Sequence, residues 1–194
     1  MGNERESLAA SLACVAARII VEAELTDWSL ARRKAVAELG LSAHGAPMPS
    51  DDEIIAEIKT YHALFSGDGW AQQLRAQREF ALEAMAELNR FDPVLVGPVA
   101  EGWAHAGSEI RIELKPENPK EVEYALIELG VEFEPKLAKD GTILLEVIDG
   151  DWPMRIVVRE RGRSSDSRFR VRLSGAQVEQ LLRESLSNYG LSGI

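Results

Sequence analysis

The spacing of apolar residues changes once along this chain, near Asp92, and that change constrains the fold more than any other feature. Before Asp92, apolar residues recur every three or four positions, as in Leu8, Leu12, Val15 and Ile19. After it, short runs such as "EIRIEL" alternate apolar and polar residues. The first spacing is typical of amphipathic helices and the second of strands with one buried face. The sequence therefore predicts a helical first part and a mixed second part.

Helix start and stop signals divide the first part. Asp27 precedes a helical pattern that Gly40 can end, and Ser50 stands three residues before Glu53, as in a capping box. A long helix is predicted from Trp70 to about residue 90. These signals predict four helices.

In the second part, strands and helices alternate. Strands are predicted over "VLVGPVA", "EIRIEL", "VEFEPKL", "TILLEVI", "MRIVVRE" and "RFRVRL", with helices at "NPKEVEYALIELG" and at the end of the chain. The fold class is therefore α+β. We expect a helical N-terminal region, residues 1–69, and an α+β domain, residues 70–194, with a mixed sheet and flanking helices.

Charge and cysteine content limit the partners. Acidic residues outnumber basic ones by 32 to 22, a net charge of −10. This charge repels polyphosphates and argues against nonspecific nucleic-acid binding. Cys14 is the only cysteine and is predicted to be buried. It has no disulfide partner, which favours a reducing, cytoplasmic location. The stretch from Leu8 to Val21 is interrupted by Arg18 and is too short to span a membrane.

A glycine pair, Gly97 and Gly102, precedes Glu109, Arg111 and Glu113. Glycine lets backbone amides approach a phosphate, and residues two apart on a strand point to the same face. The pattern is compatible with a phosphate-binding turn beside a metal site. It also fits a solvated sheet face with cross-strand ion pairs, and spacing alone leaves both interpretations open.

In an ungapped register, Gly97, Gly102, Ala104 and Ser108 resemble the signature of the nucleotidyltransferase fold, which is shared by minimal nucleotidyltransferases, aminoglycoside adenylyltransferases and polymerase-beta-like enzymes. The order of strands and helices from Trp70 to Arg161 is also similar. The helical part, with "LARRKAVAELG" and "ALFSGDGW", resembles the leader of uncharacterised bacterial nucleotidyltransferase-like proteins.

Several positions depart from that signature. Pro98 stands where the family has its phosphate-binding serine, and it offers neither a hydroxyl nor an amide donor. Glu109 and Arg111 stand at the two metal-binding aspartates, and Arg155 at the third. The family uses paired Mg²⁺ ions between three carboxylates and a triphosphate, and this set of one acid and two arginines does not suit such a pair. We expect Arg111 and Arg155 to converge on Glu109.

The resemblance and its departures imply a pseudoenzyme that binds a nucleotide or another phosphate ligand, or that acts as a regulator, without a cofactor. One alternative is an active nucleotidyltransferase that uses Glu109 and Glu113 with a single Mg²⁺. Another is a module that binds a protein partner. The predicted ligand-binding residues lie in the turn, on the strand that follows it and on a later strand: Gly97, Gly102, His105, Ser108, Glu109, Arg111, Glu113 and Arg155. No metal ligand is predicted.

Arginines are concentrated between Arg155 and Arg172, at seven of eighteen positions. Such a segment produces a local positive field suited to a phosphate or to an acidic surface. It equally fits arginines that line the solvated face of a strand.

Overall fold

The structure is a computed structural model that describes residues 2–25, 27–42, 44–148, 150–159, 169 and 171–189. Its first part contains helices α1 (Gly2–Glu22), α2 (Trp28–Glu38) and α3 (Asp51–Tyr61). A π-helical turn (His62–Ser66) leads into α4 (Gly67–Glu87), and a short 3-10 helix (Asn89–Phe91) follows. The four predicted helices are present.

The predicted caps are confirmed. The Asp27 side chain accepts a hydrogen bond from the Leu30 amide, and Ser50 and Glu53 form a reciprocal capping box. Each cap satisfies backbone donors that the first helical turn leaves without intrahelical partners. These local interactions fix where α2 and α3 begin.

The buried face of α1 differs from the predicted stripe. Of the four apolar residues expected to face inward only Leu12 is buried, and the remaining core positions of α1 are Ala13, Ala16, Ala17 and Ile20. Alanines allow helices to approach closely, and α1 packs against both α2 and α3. Cys14 lies outside this stripe and is exposed, so the prediction that it is buried was wrong.

The second part forms a six-stranded mixed sheet with the strand order β3-β4-β5-β2-β1-β6. The α+β class predicted from the sequence is confirmed. The elements are β1 (Val94–Val96), α5 (Pro98–Glu101), β2 (Ile110–Leu114), α6 (Lys120–Glu128), β3 (Phe133–Leu137), β4 (Ile143–Val147), β5 (Met154–Val158), β6 (Arg172–Leu173) and α7 (Gly175–Tyr189). Strands β2 and β5 are parallel, and the other neighbouring pairs are antiparallel.

Strand β1 is shorter than predicted, and it pairs with β2. The predicted strand, "VLVGPVA", continued beyond Val96, but the chain leaves the sheet at Gly97, whose φ is +77°. Pro98 then occupies the first turn of α5, where its fixed φ and missing amide suit a helix start. The short helix therefore takes the place of the last part of the predicted strand.

One face of the sheet is apolar. Leu95, Ile112, Ile156 and Leu145 are neighbours across four strands and are fully buried. Phe80 of α4 and Leu126 of α6 lie with Ile156 around one apolar cleft. This face forms the core of the second part, which leaves the opposite face available for polar groups.

The chain divides into two compact units. The helical unit comprises residues 1–72 together with 105–107, and the sheet unit comprises residues 73–104 and 108–194. The residues on which the candidate site depends, apart from His105, belong to the sheet unit. Among the helices that the structure describes, none has the length and apolar character needed to cross a membrane.

Candidate functional site

The charged face of the sheet lies opposite its apolar face. Strand alternation and register bring Glu109, Arg111 and Glu113 of the β2 segment beside Arg155 of β5 and Glu146 of β4. Arg111 is the direct partner of Arg155, and Arg155 is the direct partner of Glu146. Because side chains two residues apart share a face, these groups meet on one side of the sheet. We call this surface the charged face.

Glu109 is the point at which two arginines converge. Its Oε2 accepts hydrogen bonds from Nε and Nη2 of Arg111, at 3.2 and 2.8 Å. Its Oε1 lies 2.9 Å from Nη2 of Arg155. The predicted convergence of Arg111 and Arg155 on Glu109 is therefore confirmed. The three side chains remain about one-quarter exposed, so solvent reaches the cluster.

The ion pairs extend across β4 to the edge strand. Nη2 of Arg155 also donates to Glu146 Oε1 at 2.8 Å, and Glu146 in turn pairs with Lys136 of β3. The hydrogen bond from the Lys136 ammonium, aided by the charge of Arg155, holds the pKa of the Glu146 carboxyl below its ordinary value. The same bond raises the pKa of Lys136. The pairing of Lys136 with Glu146 thus favours the charged form of both side chains.

Glu113 forms a second cluster, which the sequence did not predict. Only 1% of its side chain is exposed, and its Oε2 lies 2.5 Å from Nη2 of Arg172 on β6. Its Oε1 lies 3.5 Å from Nε of Arg159, a side chain that is 9% exposed. The concentration of arginines in the sequence pointed to this region but not to a buried acid as their partner. Arg161, Arg163, Arg168 and Arg170 lie outside the described residues.

A pocket of about 360 Å³ opens on the charged face. Four cationic side chains line it, together with two acidic ones and Phe169: Arg111, Lys139, Arg155 and Arg159 with Glu113 and Asp140. The Arg111 guanidinium lies 4.8 Å from the centre of the Phe169 ring, in a cation–π contact. The volume falls within the range of small-ligand sites.

The two predicted phosphate-binding glycines have protein side chains beside them. A Cβ on Gly97 would lie 3.4 Å from the Phe169 ring, and one on Gly102 would lie 3.2 Å from Nη2 of Arg78. Both glycines have positive φ, +77° and +75°, which explains why the turn needs them. Their contact with a ligand stays a prediction.

His105 and Ser108 are buried and do not line the pocket. His105 is 6% exposed, its Nδ1 accepts a hydrogen bond from the Gly107 amide, and burial lowers its pKa. Ser108 is 3% exposed, and its carbonyl accepts from Gln77 at 3.5 Å. Of the eight predicted ligand-binding residues, the structure therefore places Arg111, Glu113 and Arg155 in the pocket wall. Glu109 does not line the pocket but pairs with both arginines.

Metal ligands are not grouped in the part of the chain that the structure describes. No set of three or more histidine, cysteine, aspartate or glutamate residues there is arranged to hold an ion. Glu109 and Glu113 each face two guanidinium groups. The guanidinium groups of this face therefore pair with carboxylates of the same chain.

Comparison of this chain with protein-family models, curated proteins and solved structures finds no match. The resemblance to the nucleotidyltransferase fold therefore depends on the register of Gly97, Gly102, Ala104 and Ser108 and on the order of elements. It stays a prediction.

Proposed function

We propose that the charged face binds a phosphate-bearing ligand, such as a nucleotide, without a divalent metal, on a nucleotidyltransferase-like scaffold that has lost two-metal catalysis. The observation that carries this proposal is the set of four cationic side chains around one pocket, Arg111, Lys139, Arg155 and Arg159. Guanidinium groups bind phosphate oxygens through paired, charge-assisted hydrogen bonds. A pocket with this lining suits an anion in a chain whose net charge is strongly negative.

The arginines keep donors for a ligand although they are ion-paired. Arg111 uses Nε and Nη2 on Glu109, and Arg155 uses Nη2 on Glu109 and Glu146. A guanidinium has five N–H donors, and the pairs that these two arginines form with carboxylates among the described residues use only Nε and Nη2. The Nη1 group of each arginine can therefore donate to a phosphate oxygen. Ion pairs of this exposure contribute little net free energy, so a phosphate can share these arginines with the carboxylates.

A pair of Mg²⁺ ions does not suit this arrangement. At the three positions that resemble the family acids stand Glu109, Arg111 and Arg155, and the two arginines already neutralise the one carboxylate. Two unit charges about 4 Å apart at an effective dielectric near 20 interact by about 4 kcal/mol, and a divalent ion doubles that repulsion. Arginine cannot relieve it by losing its proton. We therefore propose that guanidinium groups bind the phosphate that metal ions bind in the enzymes.

Calorimetric titration with inorganic pyrophosphate in EDTA tests the proposal. We expect the wild-type protein to bind pyrophosphate and the Arg155→Met variant to bind it at least tenfold more weakly. Arg75→Met is the matched control, because Arg75 is also half-buried and ion-paired but lies on α4, away from the pocket. It should leave the affinity unchanged.

Two results would contradict the proposal: a wild type that does not bind pyrophosphate, or equal weakening by Arg155→Met and Arg75→Met. The single-metal enzyme and the protein-interaction module stay predictions, and so does the cytoplasmic location inferred from the lone Cys14. Adjacent exposed side chains on the π-helical turn, Leu64 and Phe65, are the feature that favours an interaction module.

A further inference from the structure

We propose that the pocket selects an elongated ligand with two anionic groups separated by an uncharged spacer. This inference rests on the proposed function and specifies the ligand of the same site. Its basis is the order of charged and apolar residues along β5, which the strand register fixes. The order is charged, apolar, charged.

The two charged positions are Arg155 and Arg159, with Val157 between them, and all three line the pocket. A strand rises about 3.3 Å per residue, so the two arginine Cα atoms lie about 13 Å apart. The Arg159 amide donates to the Leu114 carbonyl, which keeps this residue in the extended line of the parallel β2–β5 pair. This spacing leaves room for two phosphates, one beside each arginine.

Each end of the pocket has a second cation. Arg111 is the direct partner of Arg155 on the neighbouring strand. At the other end, Arg159 follows Val158, whose partner is Ile143 at the start of β4. The β3–β4 hairpin tip immediately before Ile143 carries Lys139, which also lines the pocket. Each end therefore has two cationic side chains. The pair at the first end is shared with Glu109 and Glu146, and Asp140 lines the pocket beside Lys139 at the other. A cationic side chain at each end can bind one phosphate.

The middle of the pocket is apolar on one side and acidic on the other. Leu144 is the direct partner of Val157, and both line the pocket. On the β2 side, the partner of Val157 is Glu113, whose carboxylate is held by Arg159 and Arg172. A negative group placed here would lose hydration against Leu144 and Val157. The ligand segment between the two anionic groups is therefore uncharged.

A series of alkane-α,ω-diyl bisphosphates, with spacers of two to ten carbons, tests the inference by calorimetry in EDTA. We expect the affinity to rise with spacer length, to reach a maximum at an intermediate length, and to exceed that for inorganic phosphate at least tenfold. The gain arises because binding of the first phosphate raises the effective concentration of the second. A flat dependence on length, with phosphate still binding, would overturn this inference and leave the proposed function standing.

Lys139→Met provides the matching variant, because the Lys139 side chain is exposed and its replacement does not disturb the core. We expect it to weaken the best bisphosphate at least threefold and inorganic phosphate less than twofold. Lys120→Met, the same change at an exposed position on α6, is the control and should change neither. Equal losses for both ligands with Lys139→Met would contradict a two-ended site. Failure of the wild type to bind phosphate or any bisphosphate would overturn the proposed function itself.

Discussion

Replacing Glu113 by glutamine is expected to destabilise the sheet unit strongly, because it removes a buried charge and leaves its partners in place. Only 1% of the Glu113 side chain is exposed, and the Arg159 side chain that faces it is 9% exposed. Glutamine has nearly the same size and shape, so packing changes little. The guanidinium groups of Arg159 and Arg172 then lose the negative charge of Glu113, which offsets part of the cost of their desolvation.

The size of the expected loss in the free energy of unfolding follows from the burial of the ion pair. Removing one partner of a buried ion pair typically costs about 3 to 5 kcal/mol, whereas an exposed pair contributes about 0 to 1 kcal/mol. Glu109 supplies the comparison within the same strand segment, because it also pairs with two arginines but is 25% exposed. We therefore expect Glu113→Gln to cost about 4 kcal/mol and Glu109→Gln about 1 kcal/mol.

Urea unfolding at neutral pH, followed by circular dichroism, measures both changes. A loss of about 4 kcal/mol corresponds to a fall in Tm of about 10 °C for a chain of this length. Tryptophan fluorescence reports the unfolding of both units, because Trp103 and Trp152 belong to the sheet unit and Trp28 and Trp70 to the helical unit. Comparing the fluorescence transitions shows which unit has lost stability. Equal, small losses for the two variants would refute the argument that burial of Glu113 decides the difference.

The helical unit should lose stability as pH falls from about 6.5 to 4, because burial, and secondarily the charge of His105, lowers the pKa of His62 to about 4. Below pH 6.5 the unfolded chain binds a proton at His62 and the folded chain does not, so the free energy of unfolding falls by about 1.4 kcal/mol per pH unit. His62→Gln should reduce this dependence on pH when unfolding is measured over a series of acid pH values. Gly97→Ala should lower the free energy of unfolding in urea by about 1 to 2 kcal/mol, because a residue with a side chain disfavours the φ of +77° at this position. Gly69 lies in α4, and a Cβ there would have no atom within 4 Å, so Gly69→Ala should be neutral or stabilising. A loss with Gly69→Ala equal to that with Gly97→Ala would count against this reasoning. Ser50→Ala should lower the free energy of unfolding by about 1 kcal/mol through loss of the capping box, and no measurable change would show that the cap contributes little.

Local signals in the sequence predicted local structure well. The caps at Asp27 and Ser50 depend on residues three positions away, so the sequence displays both partners together. The stripe of α1 was misassigned because its buried face consists largely of alanines, which a search for large apolar residues does not count. The end of β1 was misplaced because Val99 continues the apolar pattern, although Pro98 is suited to start a helix.

The candidate site was predicted only in part. Alternation along one strand places Glu109 beside Arg111, and that pair can be read directly from the residues. Bringing Arg155 to Glu109 requires the parallel pairing of β2 with β5, which no local pattern specifies and which the family resemblance supplied. The burial of Glu113 depends on β5 and β6 together, so the sequence did not indicate that its partners are Arg159 and Arg172.

The effect of Mg²⁺ on nucleotide binding tests most directly the central claim that arginines at two acid positions replace metal-dependent chemistry. ATP is titrated by calorimetry into the wild type and into a variant that combines Arg111→Asp with Arg155→Asp, each with EDTA and with Mg²⁺. The wild type should bind ATP in EDTA, gain nothing from Mg²⁺ and show no transfer activity. The variant should bind more weakly in EDTA and more tightly with Mg²⁺, because it restores carboxylates at the positions where the resemblance expects them. A wild type that binds or turns over ATP only with Mg²⁺ would contradict the account and favour the single-metal enzyme.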